Sequence, residues 1–544
     1  MEKEQIIAYP QFRSYMKSHL TYSQISGIKP TIEEIKKDIL SIDLDTALII
    51  LSKLSVLSRA GKEKLKLKLK PLTKVLDLDI EAIIEPYDLT NIMYTIKWFL
   101  AYGENRPTYE YNEPYPEFLH VFLTLLKITD YMVESIDNYD KAEDFIFKSS
   151  LFNRDAEVDK ALVRQEIMFN ILAMDKTIFE GKEKNYIDIN EIFEKNYGYT
   201  LIQYVSTLFA LNTPCIKELC LDDIITSNNW GIDITTFFNS VADRQTALKI
   251  TEEISIDVSS LKKWALRTIN SPFDNEEILA TPLFKSKTKV YPFSPSYMAI
   301  VMFEGLSFKI NKCCRKEKKD YFTFFGKIFE SYVSRILEKA INDAKIKGYT
   351  YMREFKFGKE NKDSSDAYIL LGKTLLIIEC KSGSIKKEAK TQADSTISNK
   401  AFQKYALSPI KQANDAFEAI LNESTIFDNI KKVYILSVSL QSFPRITKYH
   451  KLLKEEDFVS TLNPKVKFVD YIGLSELELI ANILNNHNKS VFKILNHKKQ
   501  YNEYLPYQHY YYQKYGNIRR TDYMTRELKI TFEKIKNTFQ FKKM

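Results

Sequence analysis

The stretch Ser364–Gly383, SSDAYILLGKTLLIIECKSG, decides how the C-terminal half of this chain is read. It reads as a strand, a Gly-Lys turn and a second strand. Leu375–Ile378 run apolar without a break and end in Glu379-Cys380-Lys381, after which Ser-Gly stops the strand. Strand residues alternate faces, so Glu379 and Lys381 point one way while Ile378 and Cys380 point the other. A glycine in the first central position suits a two-residue type II′ hairpin. With Gly372-Lys373 as that turn, Leu371 pairs with Thr374, Ile369 with Leu376, Ala367 with Ile378, and Asp366 with Glu379.

Two carboxylates then face each other across about 5 Å, which is destabilising without a cation. Lys381 is one candidate cation. A divalent metal is the other, held by both carboxylates and a backbone carbonyl, the hard-oxygen set that Mg²⁺ prefers. Such a metal acidifies bound water and neutralises a transferring phosphoryl group, and Lys381 beside it is placed to orient the water or stabilise developing charge. The plainer reading is a salt bridge between Glu379 and Lys381, with Asp366 as an exposed strand start.

Outward from the hairpin, residues 320–346 read as a helix, and strands are expected at YTYMREFKF (349–357), KKVYILSVSL (431–440) and VKFVDYI (466–472). Helices are expected at SPIKQANDAFEAILNE (408–423) and SELELIANILNN (475–486). This α, β, β, β, α, β order describes an α/β sandwich around a mixed sheet.

Asp366 followed across a hairpin by Glu379-Cys380-Lys381 resembles the PD-(D/E)XK nuclease superfamily, the restriction-endonuclease-like fold, over residues 320–485. Many members add a glutamate on the preceding helix; FGKIFESYV offers Glu330, bordering an apolar stripe of Phe322, Phe325, Phe329 and Val333. Many also carry a glutamine on the following helix, and here Gln412 stands there. The family's proline before the acidic residue is replaced by Ser365. The resemblance implies that Asp366, Glu379 and the Cys380 carbonyl bind Mg²⁺ or Mn²⁺, that Lys381 is catalytic, that Glu330 helps hold a metal or its water, and that Gln412 positions a phosphate or a neighbour. It implies a metal-dependent deoxyribonuclease, similar to effectors of bacterial anti-phage defence. An inactive nuclease fold serving as a nucleic-acid-binding or scaffolding subunit is the alternative.

The rest of the 544 residues read differently. Residues 1–270 are expected to be an all-helical regulatory or partner-binding domain, with a capping box in TIEEIKKDILSI. GKEKLKLKLKPL (61–72) suits a short strand or an exposed helix end. Residues 271–319 read as a connector, with NKCCRKEKKD (311–320) a charged linker. Residues 486–544 form a basic, Tyr-rich extension: Tyr501, Tyr504, Tyr507, Tyr510, Tyr511, Tyr512 and Tyr515 beside Lys514, Arg519 and Arg520. Rings among cations suit nucleic-acid stacking, or packing onto the nuclease-like domain.

Residues 301–544 hold 44 Lys and Arg against 27 Asp and Glu, a net +17, whereas residues 1–300 carry −9. A basic half points to a polyanion partner, most often nucleic acid, and the resemblance implies that it is DNA. The helical half leaves room for a protein partner or an oligomer. Five cysteines, none in a C-x-x-C pair, and six scattered histidines argue against a zinc site or a disulfide framework. No P-loop occurs, no apolar run approaches the roughly 18 residues of a membrane span, and the N-terminus lacks a signal-peptide layout. A cytoplasmic protein is expected.

Overall fold

The structure is a computed structural model, and it describes residues 20–73, 86–106, 115–132, 157–226, 230–383 and 395–539. It mixes helix and sheet. The elements that position the hairpin are helix α1 (Tyr321–Asn342), strands β1 (Tyr349–Arg353), β2 (Ala367–Leu371) and β3 (Thr374–Lys381), helix α2 (Ser408–Glu423), and strands β4 (Lys432–Ser439) and β5 (Val466–Gly473). Helices α3 (Leu474–Asn486), α4 (Val491–Asn502), α5 (Tyr507–Tyr515) and α6 (Asp522–Thr538) follow.

The five strands form one mixed sheet in the order β5-β4-β3-β2-β1. β1, β2 and β3 are antiparallel neighbours, while β3, β4 and β5 run parallel. The parallel centre is covered on both faces, so β3 and β4 are buried almost end to end rather than alternating with solvent. Ala367, Ile369, Leu376, Ile378 and Cys380 join the core that contains Phe329, Tyr332, Val333 and Ile336 of α1 and Leu477, Ile480 and Leu484 of α3. Tyr368, Leu375 and Ile377 join a separate core with Ile410, Ala413, Phe417 and Ile420 of α2. Asp320 starts α1 by accepting from the backbone N–H groups of Phe322 and Thr323. Phe322 is 60% exposed, outside the apolar stripe in which the sequence placed it; Phe325, Phe329 and Val333 are buried as expected, and Phe324 points inward with them.

Hydrophobic packing does not follow the expected boundaries at 270, 320 and 485. Helices Val158–Gln165, Ile189–Tyr197 and Leu201–Asn212 share the core of α1 and the sheet. A second core joins helices of residues 20–132 to residues 215–300, across the expected boundary at 270. The segment expected to be wholly helical also supplies two short strands, Ile232–Asp233 and Ser255–Asp257, which flank the hairpin Leu283–Ser286 and Lys289–Pro292 in a four-stranded sheet.

The expected linker at 311–320 is mostly helix. Leu306–Lys316 runs through it with Ile310, Cys313 and Cys314 buried and the lysines turned outward. Gly61–Leu72 lies within a helix, Arg59–Thr73, not a strand. Thr31 and Glu34 close the capping box as expected. The Tyr-rich extension is also part of the fold: Tyr507, Tyr510 and Tyr511 are buried, and α6 packs against Val158–Gln165 and Leu201–Asn212. Beneath α5 lies a buried ion cluster, where Arg445 donates to both Asp470 oxygens at 3.0 and 3.2 Å and the Tyr507 hydroxyl donates to Asp470 Oδ2 at 2.8 Å. Among the described residues no helix is long and apolar enough to cross a membrane.

Candidate active site

Gly372 has φ +60°, and Lys373 keeps a negative φ, the pattern a type II′ turn requires. The turn sets the register: Leu371 lies opposite Thr374, Ile369 opposite Leu376, and Ala367 opposite Ile378. One step beyond the last pair, Asp366 and Glu379 approach each other at the strand end. Asp366 Oδ2 accepts the Cys380 N–H at 2.6 Å. Glu379 is only 3% exposed. Its Oε1 accepts from Lys381 Nζ at 3.1 Å, and the same ammonium donates to Gln412 Oε1 at 3.0 Å. Gln412 comes from α2, which covers the face toward which Glu379 and Lys381 point.

Glu330 arrives from α1 on the other side. Its Oε2 accepts from Lys327 Nζ at 2.7 Å. Its charge is felt at the hairpin: burial, then Glu379, then Glu330 hold the Asp366 carboxyl well above the usual carboxylate range. Burial also pushes Glu379 up, with Glu330 adding to the rise, although the charge and hydrogen bond of Lys381 oppose it. Raised carboxyls beside one another mark a site short of positive charge.

Cys380 sits between the two charged side chains in sequence but faces the opposite core, 3% exposed. Burial, with Asp366 and Glu379 nearby, pushes its thiol well above the ordinary value, which is the wrong direction for a nucleophile.

All five side chains singled out from the sequence therefore belong to one neighbourhood, linked by hydrogen bonds or by charge. They do not form a ready-made cage. Among the described residues no group of three or more His, Cys, Asp or Glu side chains is arranged to hold a metal ion. Instead Lys327 engages Glu330, Lys381 engages Glu379, and a backbone N–H engages Asp366. The donor chemistry still fits a hard divalent cation, because oxygen ligands that repel each other are what such an ion relieves.

The sequence reading overlooked three features. Lys327, one helical turn before Glu330, was visible in FGKIFESYV as an i, i+3 pair. Glu354, just past β1, lies 3.8 Å from the same ammonium. Tyr405 passes so close to Gly383 that an added Cβ would fall 2.3 Å from its ring, which explains the glycine that ends the motif. Nothing in the local sequence pointed to Glu354 or Tyr405. No family model, no curated protein and no solved structure matches the chain.

Proposed function

We propose that the chain is a metal-dependent nuclease that hydrolyses phosphodiester bonds of DNA, built on a restriction-endonuclease-like sandwich of the PD-(D/E)XK kind. The observation that carries this reading is the meeting of Asp366, Glu379 and Lys381 at one hairpin end, with Gln412 reaching Lys381 from α2 and Glu330 acting on both carboxyls from α1. The helix, three antiparallel strands, helix, parallel strand order supports it. The +17 charge of residues 301–544 supports a polyanionic substrate.

Asp366, Glu379 and the Cys380 carbonyl would hold Mg²⁺ or Mn²⁺, with Glu330 holding one of its waters. The bound ion supplies Lewis acidity toward a phosphoryl oxygen and lowers the pKa of water. Lys381 is the group that meets the substrate. Its ammonium is poised to orient the attacking water and to stabilise the charge that grows on the phosphoryl oxygens. Gln412 and Glu379 together restrict where that ammonium can go.

The test is cleavage of supercoiled plasmid and of single-stranded DNA with Mg²⁺, with Mn²⁺ and with EDTA. Cleavage should need the metal and be lost in Lys381→Ala and Asp366→Ala. Cleavage surviving both substitutions would sink the proposal.

A further inference from the structure

α1 brings a second ammonium to the carboxylates. Lys327 donates to Glu330 at 2.7 Å and stands 3.8 Å from Glu354. Burial works against the charge on this half-buried ammonium. Glu330, Glu354 and Asp366 nevertheless hold its pKa above the ordinary lysine value. The geometry is two-sided: Lys381 serves Glu379 on the α2 side, and Lys327 serves Glu330 on the α1 side. Four carboxylates (Asp366, Glu379, Glu330 and Glu354) thus meet two ammoniums. With all six ionised, the deficit equals the charge of one divalent ion.

Resting on the nuclease reading above, we propose that Lys327 stands in for a second metal ion. Its ammonium sits between Glu330 and Glu354 and offsets one of their two charges, so the cluster binds a single divalent cation, at Asp366 and Glu379. Lys327 is on this account a positioning residue. It fixes Glu330 where that carboxylate can hold a water of the bound ion without becoming a ligand of another ion.

The experiment counts Mn²⁺ on the full-length, metal-stripped chain from the loss of the free-ion electron paramagnetic resonance signal. Wild type, Lys327→Arg, Lys327→Met and Lys327→Gln are compared, with circular dichroism to confirm folding. The glutamine variant still donates to Glu330 and serves if the methionine variant does not fold. Wild type and Lys327→Arg should bind one Mn²⁺ per chain, and the folded uncharged variants two. Two ions on wild type, or one on the uncharged variants, would overturn the inference and leave the metal site itself standing. No ion on folded wild type would overturn the metal site, and this inference with it.

Discussion

Asp366→Asn should stabilise the metal-free protein, and the gain should depend on pH. Asparagine keeps an oxygen for the Cys380 N–H, which Asp366 accepts at 2.6 Å, so the change removes charge with little loss of shape. At the cross-strand spacing of about 5 Å and an effective dielectric near 20, two carboxylates repel by roughly 3 kcal/mol. Lys381, bonded to Glu379, offsets part of this, leaving a gain of about 1–2 kcal/mol. Both carboxyls have folded-state pKa values above their unfolded ones. The unfolded values lie near 4, so above that pH the folded chain keeps protons that the unfolded chain has released. The stability these groups contribute is therefore fully present below about pH 4 and is lost as pH rises through the folded values. In thermal melts with EDTA at pH 8, Asp366→Asn should melt about 2–8 °C above wild type, taking roughly 2–4 °C per kcal/mol for a unit of this kind. The gap should close toward pH 4. Mg²⁺ should raise the wild-type midpoint at pH 8 and leave the variant's nearly unchanged. A variant that melts lower than wild type at pH 8, or a gap that ignores pH, would refute the reasoning.

Further outcomes follow from the same contacts. Gln412→Ala removes the exposed side chain that tethers Lys381 and should slow cleavage about tenfold while leaving the melting midpoint within about 1 °C, since surface changes of this kind cost little. Arg445→Met leaves Asp470 and Glu476 buried without their guanidinium; denaturant titration should show a loss of about 3–5 kcal/mol. Tyr507→Phe removes only the hydroxyl on Asp470 and should cost about 1–3 kcal/mol by the same titration. Gly372→Ala forces a side chain into φ +60° at an otherwise open turn; a loss of about 1 kcal/mol with unchanged metal dependence of cleavage is expected.

The hairpin was legible because two independent signals fixed it. The Gly-Lys turn set where the strands reverse, and period-two alternation then allowed one register, since a slip of one residue would turn Ile378 and Cys380 out of their core. Glu330 and Gln412 were singled out by the resemblance to the nuclease superfamily, not by the spacing of apolar residues on their helices. The packing of helices in residues 158–212 was not legible, because an amphipathic stripe shows that a helix has a buried face but not which core receives it. Ser255–Asp257 and Ile232–Asp233 are too short to show alternation. Asn311–Lys316 looked like a linker because its lysines dominate, yet Ile310, Cys313 and Cys314 at helical spacing carry the buried face. The tyrosines of α5 stood among cations, a composition that suits stacking on bases and burial equally. Burial prevails at Tyr507 through Asp470, Arg445 and Glu476, all distant in sequence from α5.

The central claim is that the end of this hairpin is a divalent-metal site, and iron-directed backbone cleavage tests it without needing the substrate. Fe²⁺ is bound to the metal-stripped chain, ascorbate and peroxide are added, and the fragments are mapped by mass spectrometry. The account predicts scission confined to the backbone around Asp366 and Glu379–Lys381, suppressed by excess Mg²⁺ and missing in Asp366→Asn and Glu379→Gln. Scission centred elsewhere in the chain, or undiminished in both variants, would contradict it.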